Sequence, residues 1–141
     1  MNMEELEIRK AKFEELDGIC RVLDEGFGDV TPAIRYWWRI MENSKIYTVV
    51  AVLRGEVIGT ASLHVLEKLL HTGSYSGLIE DVSVLKGYAG EGVGQKMIDE
   101  LVSVAKEMRC YKVILNCDKK LESFYEKCGF EKKEIQMRID M

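Results

Sequence analysis

Apolar positions along this chain switch between two periods, and the switches mark its elements. Leu6-Glu7-Ile8-Arg9 alternates, which predicts a first strand. From Glu14 to Leu23, Leu16, Ile19, Cys20 and Leu23 recur at helical spacing, and Gly26-Phe27-Gly28-Asp29 breaks the pattern. Thr31-Pro32 supplies an N-cap and a first helical position. The second helix then turns Ile34, Trp37, Trp38 and Met41 toward a core, with the paired tryptophans read as core anchors in preference to a ligand cage. Ile46 to Leu53 and Val57 to Leu66 are β-branched and apolar, joined by Arg54-Gly55-Glu56 as a hairpin turn. Lys68 to Ser76 reads as a loop or second hairpin connection, and Leu78 to Val84 as the next strand. From Val93, the residues Met97, Leu101, Val104, Ala105 and Met108 mark one helix face. Val113-Ile114-Leu115 predicts a short, fully buried strand. Leu121 to Cys128 predicts a short helix with Asp118 as N-cap and Gly129 as C′ residue. Ile135 to Ile139 alternates and closes the chain as a strand.

The order β-α-α-β-β-β-α-β-α-β implies a mixed α/β sheet with helices on both sides, in one domain over 1–141. A dinucleotide fold is disfavoured, because its glycine fingerprint opens a βαβ unit with an acidic residue about 20 positions on. Here the glycine-rich unit follows a meander.

Composition narrows the partners. The formal net charge is -4, which gives no reason to expect nucleic acid or an anionic membrane. No apolar run approaches the ~20 residues of a membrane span, and the acidic N-terminus lacks a signal peptide's apolar region. Cys20, Cys110, Cys117 and Cys128 form no C-x-x-C pair and read as reduced, mostly buried thiols of a cytoplasmic protein. His64 and His71 are too few for a dedicated zinc site without thiolates, so no metal is expected.

The chemistry concentrates at Gly90-Glu91-Gly92-Val93-Gly94, between a strand and a long amphipathic helix. Glycine lets a backbone approach a ligand and aim several N–H groups at one anion. A helix starting there adds the positive end of its dipole. The unit reads as a pyrophosphate cradle.

Four pieces carry a resemblance: Glu80-Asp81-Val82-Ser83-Val84, Gly90 to Gln95, Cys110-Tyr111-Lys112-Val113, and Phe124-Tyr125-Glu126-Lys127-Cys128-Gly129-Phe130. Together they resemble the GNAT superfamily of acetyl-CoA-dependent N-acetyltransferases along essentially the whole chain. The last ~65 residues are most similar to its glucosamine-6-phosphate branch, and a lone glycine triplet would be far less specific. The resemblance implies a central mixed sheet of about six to seven strands flanked by about four helices. It also implies a homodimer with C-terminal strands crossing between subunits.

By the same resemblance, the acetyl-CoA pyrophosphate sits on backbone amides of Gly90, Glu91, Gly92, Val93, Gly94 and Gln95. Val82, Ser83 and Val84 run along the pantetheine arm, and a strand N–H polarises the thioester carbonyl. Tyr125 takes the family's tyrosine position near the sulfur, where it protonates the departing thiolate. Glu80 and Asp81 bind the acceptor's ammonium and help move its proton. Adjacent strand residues point to opposite faces, so both carboxylates reach one cleft only if a bulge intervenes, as it does in the family. Thr31, Lys112, Asn116 and Arg138 fall at or near substrate positions.

Ala89 stands where the family carries Arg or Gln, Asn116 where it carries an acid, and Leu121 where it carries a CoA-side asparagine. The family's phosphate-binding arginine from the neighbouring subunit aligns, without gaps, with Asp140. Either Arg138, two residues earlier, fills that role or the substrate carries no phosphate there. The implied acceptor is a small-molecule primary amine, glucosamine 6-phosphate first, then another small amine, an amino acid or a protein amine. A non-catalytic CoA-binding module would keep the glycine loop but need neither Tyr125 nor the carboxylates. A structural dimerisation domain would bind no CoA.

Overall fold

The computed structural model describes residues 2–31 and 33–141. Five strands form one sheet in the order β1-β2-β3-β4-β5: β1 (Leu6–Lys10), β2 (Ile46–Leu53), β3 (Glu56–Glu67), β4 (Tyr75–Val84) and β5 (Cys110–Leu115). The first three pairings are antiparallel and β4·β5 is parallel, so the mixed sheet is as expected. The β2–β3 hairpin turns on Arg54 (φ 47) and Gly55 (φ 80), two residues with positive φ as a tight turn of the right twist needs.

Helices α1 (Leu16–Phe27), α2 (Ile34–Glu42), α4 (Val93–Glu107) and α5 (Glu122–Lys127), with the single turn α3 (Leu70–Gly73), complete the fold. Residue 59 of β3 faces α4, since a Cβ there would lie 3.1 Å from the Met97 sulfur. Thr60 faces the opposite side, toward α1 and α2. Helices therefore cover both sides of the sheet. The core between them is built from Val22, Val49, Val50, Ile58, Leu63, Met97, Ile98 and Leu101, all fully buried. Burying each large side chain stabilises the fold by about 1.5–3 kcal/mol.

Several expectations are corrected. Helix α1 runs through Gly26 and stops at Gly28, whose φ of 73 lies in the left-handed region. The N-cap of α2 is Ala33 and not Thr31; Pro32, read as the first helical position, lies outside the described residues. Trp37 is buried, but Trp38 and Ile34 are exposed. Consecutive helical residues sit about 100° apart, so Trp37 and Trp38 cannot share one narrow core face. Trp38 packs instead beside Phe13, ring centroids 5.0 Å apart. Of the four cysteines only Cys20 is buried; all are free thiols.

The C-terminal strand is absent. Residues 131–141 adopt no regular structure, and Ile135, Met137 and Ile139 are 92%, 91% and 87% exposed. An alternating segment becomes a strand only where another strand offers a ladder. On this chain the tail meets none. For the same reason β5 is an edge strand, half-buried, with Ile114 43% exposed.

Candidate active site

Strand β4 carries two irregularities that make a site. The first is a bulge. Thr60 pairs with Ser83 and Ser62 with Glu80, so β4 spends one more residue than β3 between those pairs. Asp81 takes a φ of 55 within it. A bulge re-aims the residues that follow. Asp81 thereby lines a cavity between α1, α2 and the sheet, and Glu80, directly across from the cavity-lining Ser62, shares that face. The two adjacent carboxylates thus reach one side of the sheet.

The second irregularity is a split. The parallel ladder between β4 and β5 ends at Ile79↔Leu115. Residues 80–84 continue to pair with β3 and have no strand on their other side. Their backbone groups on that side are open for an extended ligand. Asn116 follows the last paired residue of β5 and so stands at the mouth of the split.

The glycine loop lies at the far end of β4. Gly90 (φ 79) and Gly92 (φ 83) are left-handed, which favours glycine, and a Cβ added to either would meet nothing within 4 Å. Gly92 caps α4, and the first helical bond runs from the Lys96 N–H to the Gly92 carbonyl at 3.2 Å. The N–H groups of Val93, Gly94 and Gln95 therefore have no acceptor within the helix, and no side chain caps them. Open space, several amides and the helix dipole converge, as an anionic pyrophosphate requires. Gly94 does something different: a Cβ there would come 3.1 Å from Phe124 Cζ and 3.9 Å from Val84 Cγ2. Its bareness lets α5 press against the start of α4 and the end of β4.

That contact places Tyr125. Its ring is buried, edge-on to Phe124 at 4.9 Å and to Phe130 at 6.1 Å between centroids. Burial, then the neighbouring Cys117 and Cys128 thiols, pushes the phenol above its ordinary value. Cys117 lies just past the end of β5, which puts the ring on the β5 side of the split. Among the described residues, the only side-chain polar atom sealed away without a partner is the Ser74 hydroxyl. The Tyr125 hydroxyl has no hydrogen bond among the described residues and is not sealed from solvent. Burial also raises all four thiols, so none is a ready thiolate at neutral pH.

The remaining sequence candidates divide. Thr31 lines the same cavity as Asp81. Lys112 and Arg138 do not: Lys112 is exposed, its ammonium 5.4 Å from the Tyr111 ring centroid, and Arg138 is bridged to Asp140 at 2.8 Å on the tail. Sequence reasoning missed Thr48, Thr60 and Ser62, which line the cavity floor. The signal was present in β3, where Thr60, Ser62 and His64 alternate with Ala61, Leu63 and Val65.

Residues 7–130 match the model of the acetyltransferase (GNAT) family. The chain belongs to the GNAT acetyltransferase family. It is 42% identical over 87 residues to glucosamine 6-phosphate N-acetyltransferase of Trypanosoma brucei brucei, a match covering 62% of this chain and 59% of that one. It is 37% identical over 109 residues to the Candida albicans enzyme of the same name, covering 77% of this chain and 72% of that one. The crystal structure of glucosamine-6-phosphate N-acetyltransferase from Arabidopsis thaliana superposes with a TM-score of 0.89 at 30% identity, covering 97% and 99% of the two chains. In sequence, then, the chain spans little more than half of the trypanosome relative's length. GNAT acetyltransferases use acetyl-CoA, and the residues present fit it: the open glycine cradle suits its pyrophosphate and the unpaired edge of β4 suits its pantetheine arm. Among the described residues, no helix is long and apolar enough to cross a membrane.

Proposed function

We propose that this single domain, residues 1–141, transfers the acetyl group of acetyl-CoA directly to a primary amine, with glucosamine 6-phosphate as acceptor, in the cytoplasm. The observation that carries the reading is the coincidence of two openings. Strand β4 leaves β5 at Ile79, and six residues after β4 ends the chain enters the glycine loop, which leads to the unpaired amides at the start of α4. The acceptor rests on the names of the relatives.

The chain's residues divide the work. The amides of Gly90, Glu91, Gly92, Val93, Gly94 and Gln95 hold the pyrophosphate, and Val82, Ser83 and Val84 align the pantetheine arm. When bound, the thioester supplies an activated acyl carbon. A backbone N–H of β4 in the split donates to its carbonyl oxygen, where negative charge grows. Asp81 and Glu80 bind the acceptor's ammonium, and its proton leaves through them so that the neutral amine attacks. Thr31, and Asn116 at the split mouth, position the acceptor. Tyr125, kept protonated by burial, gives its proton to the departing sulfur. No residue bonds covalently to the acyl group.

The active form is a homodimer. An exposed apolar tail and a half-buried edge strand support it: each lacks the partner that a second copy provides. In the dimer, Lys112 and Arg138 of one subunit face the other's cleft. Free-thiol release from acetyl-CoA, followed across amines that include glucosamine 6-phosphate, tests the reading. Tight acetyl-CoA binding with no thiol release for any amine overturns it.

A further inference from the structure

The last turn of α1 breaks a rule of helix ends. A helix C-terminus favours cations, yet this turn carries Asp24 and Glu25 and no basic residue. Each carboxylate accepts from a backbone N–H beyond the helix. Asp24 accepts from Val30 at 3.3 Å, which closes the helix's own exit. Glu25 reaches another part of the fold: it accepts from the Lys86 N–H at 2.5 Å, 61 residues away in the chain. A local departure compensated by a long-range bond is what a functional constraint leaves behind.

Lys86 opens the tight turn that delivers the chain from β4 to the glycine loop. The Leu85 N–H donates to the Ile58 carbonyl at 2.8 Å, the Tyr88 N–H to the Leu85 carbonyl at 2.9 Å and the Ala89 N–H to the Lys86 carbonyl at 3.2 Å, and Gly90 follows. The first N–H of such a turn has no acceptor inside it, and Glu25 supplies one. Among the described residues, Glu25 is the only side chain hydrogen-bonded to the backbone of residues 85–92. Beside it, the Ser83 hydroxyl donates to the Val22 carbonyl at 3.2 Å, and a Cβ on Gly26 would stand 2.3 Å from that hydroxyl oxygen. The bare Gly26 lets α1 lie against β4 closely enough for Glu25 to span the gap.

We propose that Glu25 is a positioning residue for the acetyl-CoA pyrophosphate: through Lys86 it fixes where the amides of Gly90 to Gln95 stand, without touching the cofactor. The inference rests on the acetyl-CoA reading of the glycine loop. Glu25 acts by accepting a hydrogen bond and not by its charge, since a carboxylate near an anionic guest only repels it. Several amides converge on one phosphate in few loop arrangements, and holding the loop in one of them beforehand lowers the ordering cost of binding. The helix whose Leu16, Ile19, Cys20 and Leu23 wall the acceptor cavity thus also sets the cofactor cradle.

The test is calorimetric titration of acetyl-CoA into the full chain and its variants, with amide hydrogen exchange and melting temperature alongside. Glu25→Ala should weaken acetyl-CoA binding about fivefold or more and leave the melting temperature within about 3 °C. Exchange should quicken at residues 86–92 and stay unchanged in the rest of the sheet. Glu25→Gln keeps an acceptor oxygen and should bind within about twofold of the parent. Gly26→Ala, which pushes α1 away from Ser83, should weaken binding as Glu25→Ala does. Equal weakening by Glu25→Gln and Glu25→Ala, an unchanged affinity in Glu25→Ala, or faster exchange spread over the whole sheet overturns this inference alone. A parent chain that binds no acetyl-CoA overturns the acetyltransferase reading with it.

Discussion

The backbone N–H of Phe130 donates to the carbonyl of Tyr125 at 3.0 Å, and the Phe130 ring closes edge-on against the Tyr125 ring. Gly129 makes this reversal possible with a φ of 100, its own N–H bonding the Glu126 carbonyl at 3.0 Å. The pattern is a Schellman closure with its hydrophobic contact, and it clamps the ring proposed to act as acid. Gly129→Ala should therefore cost about 1–2 kcal/mol by forcing a left-handed Ala. Thermal unfolding gives the loss of stability. Turnover should fall more than acetyl-CoA affinity does.

Tyr125→Phe removes only the hydroxyl from a buried ring, and the fold should tolerate it. Turnover should fall by about 100-fold or more with acetyl-CoA affinity unchanged, as measured by calorimetry beside steady-state rates. Because burial raises the phenol, an alkaline limb that depends on Tyr125 should lie above the ordinary tyrosine value of 10.0. A limb at neutral pH that survives in Tyr125→Phe belongs to another group.

Two glycines of the loop should fail in different ways. Gly92→Asp puts a carboxylate into the open anion cradle at a φ of 83 and should abolish acetyl-CoA binding. Gly94→Val should instead destabilise the fold, since its side chain runs into Phe124. A titration and a melting curve on each variant separate the two effects.

Arg9 and Glu15 tie β1 to the turn before α1 through two bonds of 2.8 and 2.9 Å. The Arg9 hydrogen bonds, opposed by burial and aided by the Lys12 N–H, hold the Glu15 carboxyl below its ordinary 4.5. A lowered value in the folded state means stability that is present above 4.5 and lost as pH falls through the folded value. Glu15→Gln should cost about 1 kcal/mol at neutral pH. Between about pH 5 and about pH 3 the melting temperature of the parent chain should drop more steeply than that of Glu15→Gln.

Removal of residues 131–141 should leave a folded monomer, if the tail holds a second copy. Light scattering reports the mass, and circular dichroism reports the fold. A dimer that survives the truncation places the interface elsewhere.

The five strands and the four longer helices were legible because their apolar periods are long and local. The glycine loop was legible too, since three glycines before an amphipathic helix have few other uses. What the sequence hid was set by partners. Val113 to Leu115 looked like a buried strand, yet its exposure depends on whether anything covers the β5 edge. Ile135 to Ile139 has strand alternation but no ladder on its own chain. The bulge at Asp81 was expected from the family resemblance alone and not from the local pattern, because it is a mismatch of register between two strands. Thr60 and Ser62 were readable as a polar stripe, but that they floor a cavity depends on where α2 packs.

A sheet that unzips between its last two strands leaves a slot between β4 and the β5–α5 part of the molecule. Vacant, the slot lets the amides of residues 80–84 on that side trade their hydrogens with water. A guest that completes the hydrogen-bond rows makes itself a structural member, bracing the two halves while it is held. Cofactor supply would then govern the lifetime of the folded chain as well as its rate of work.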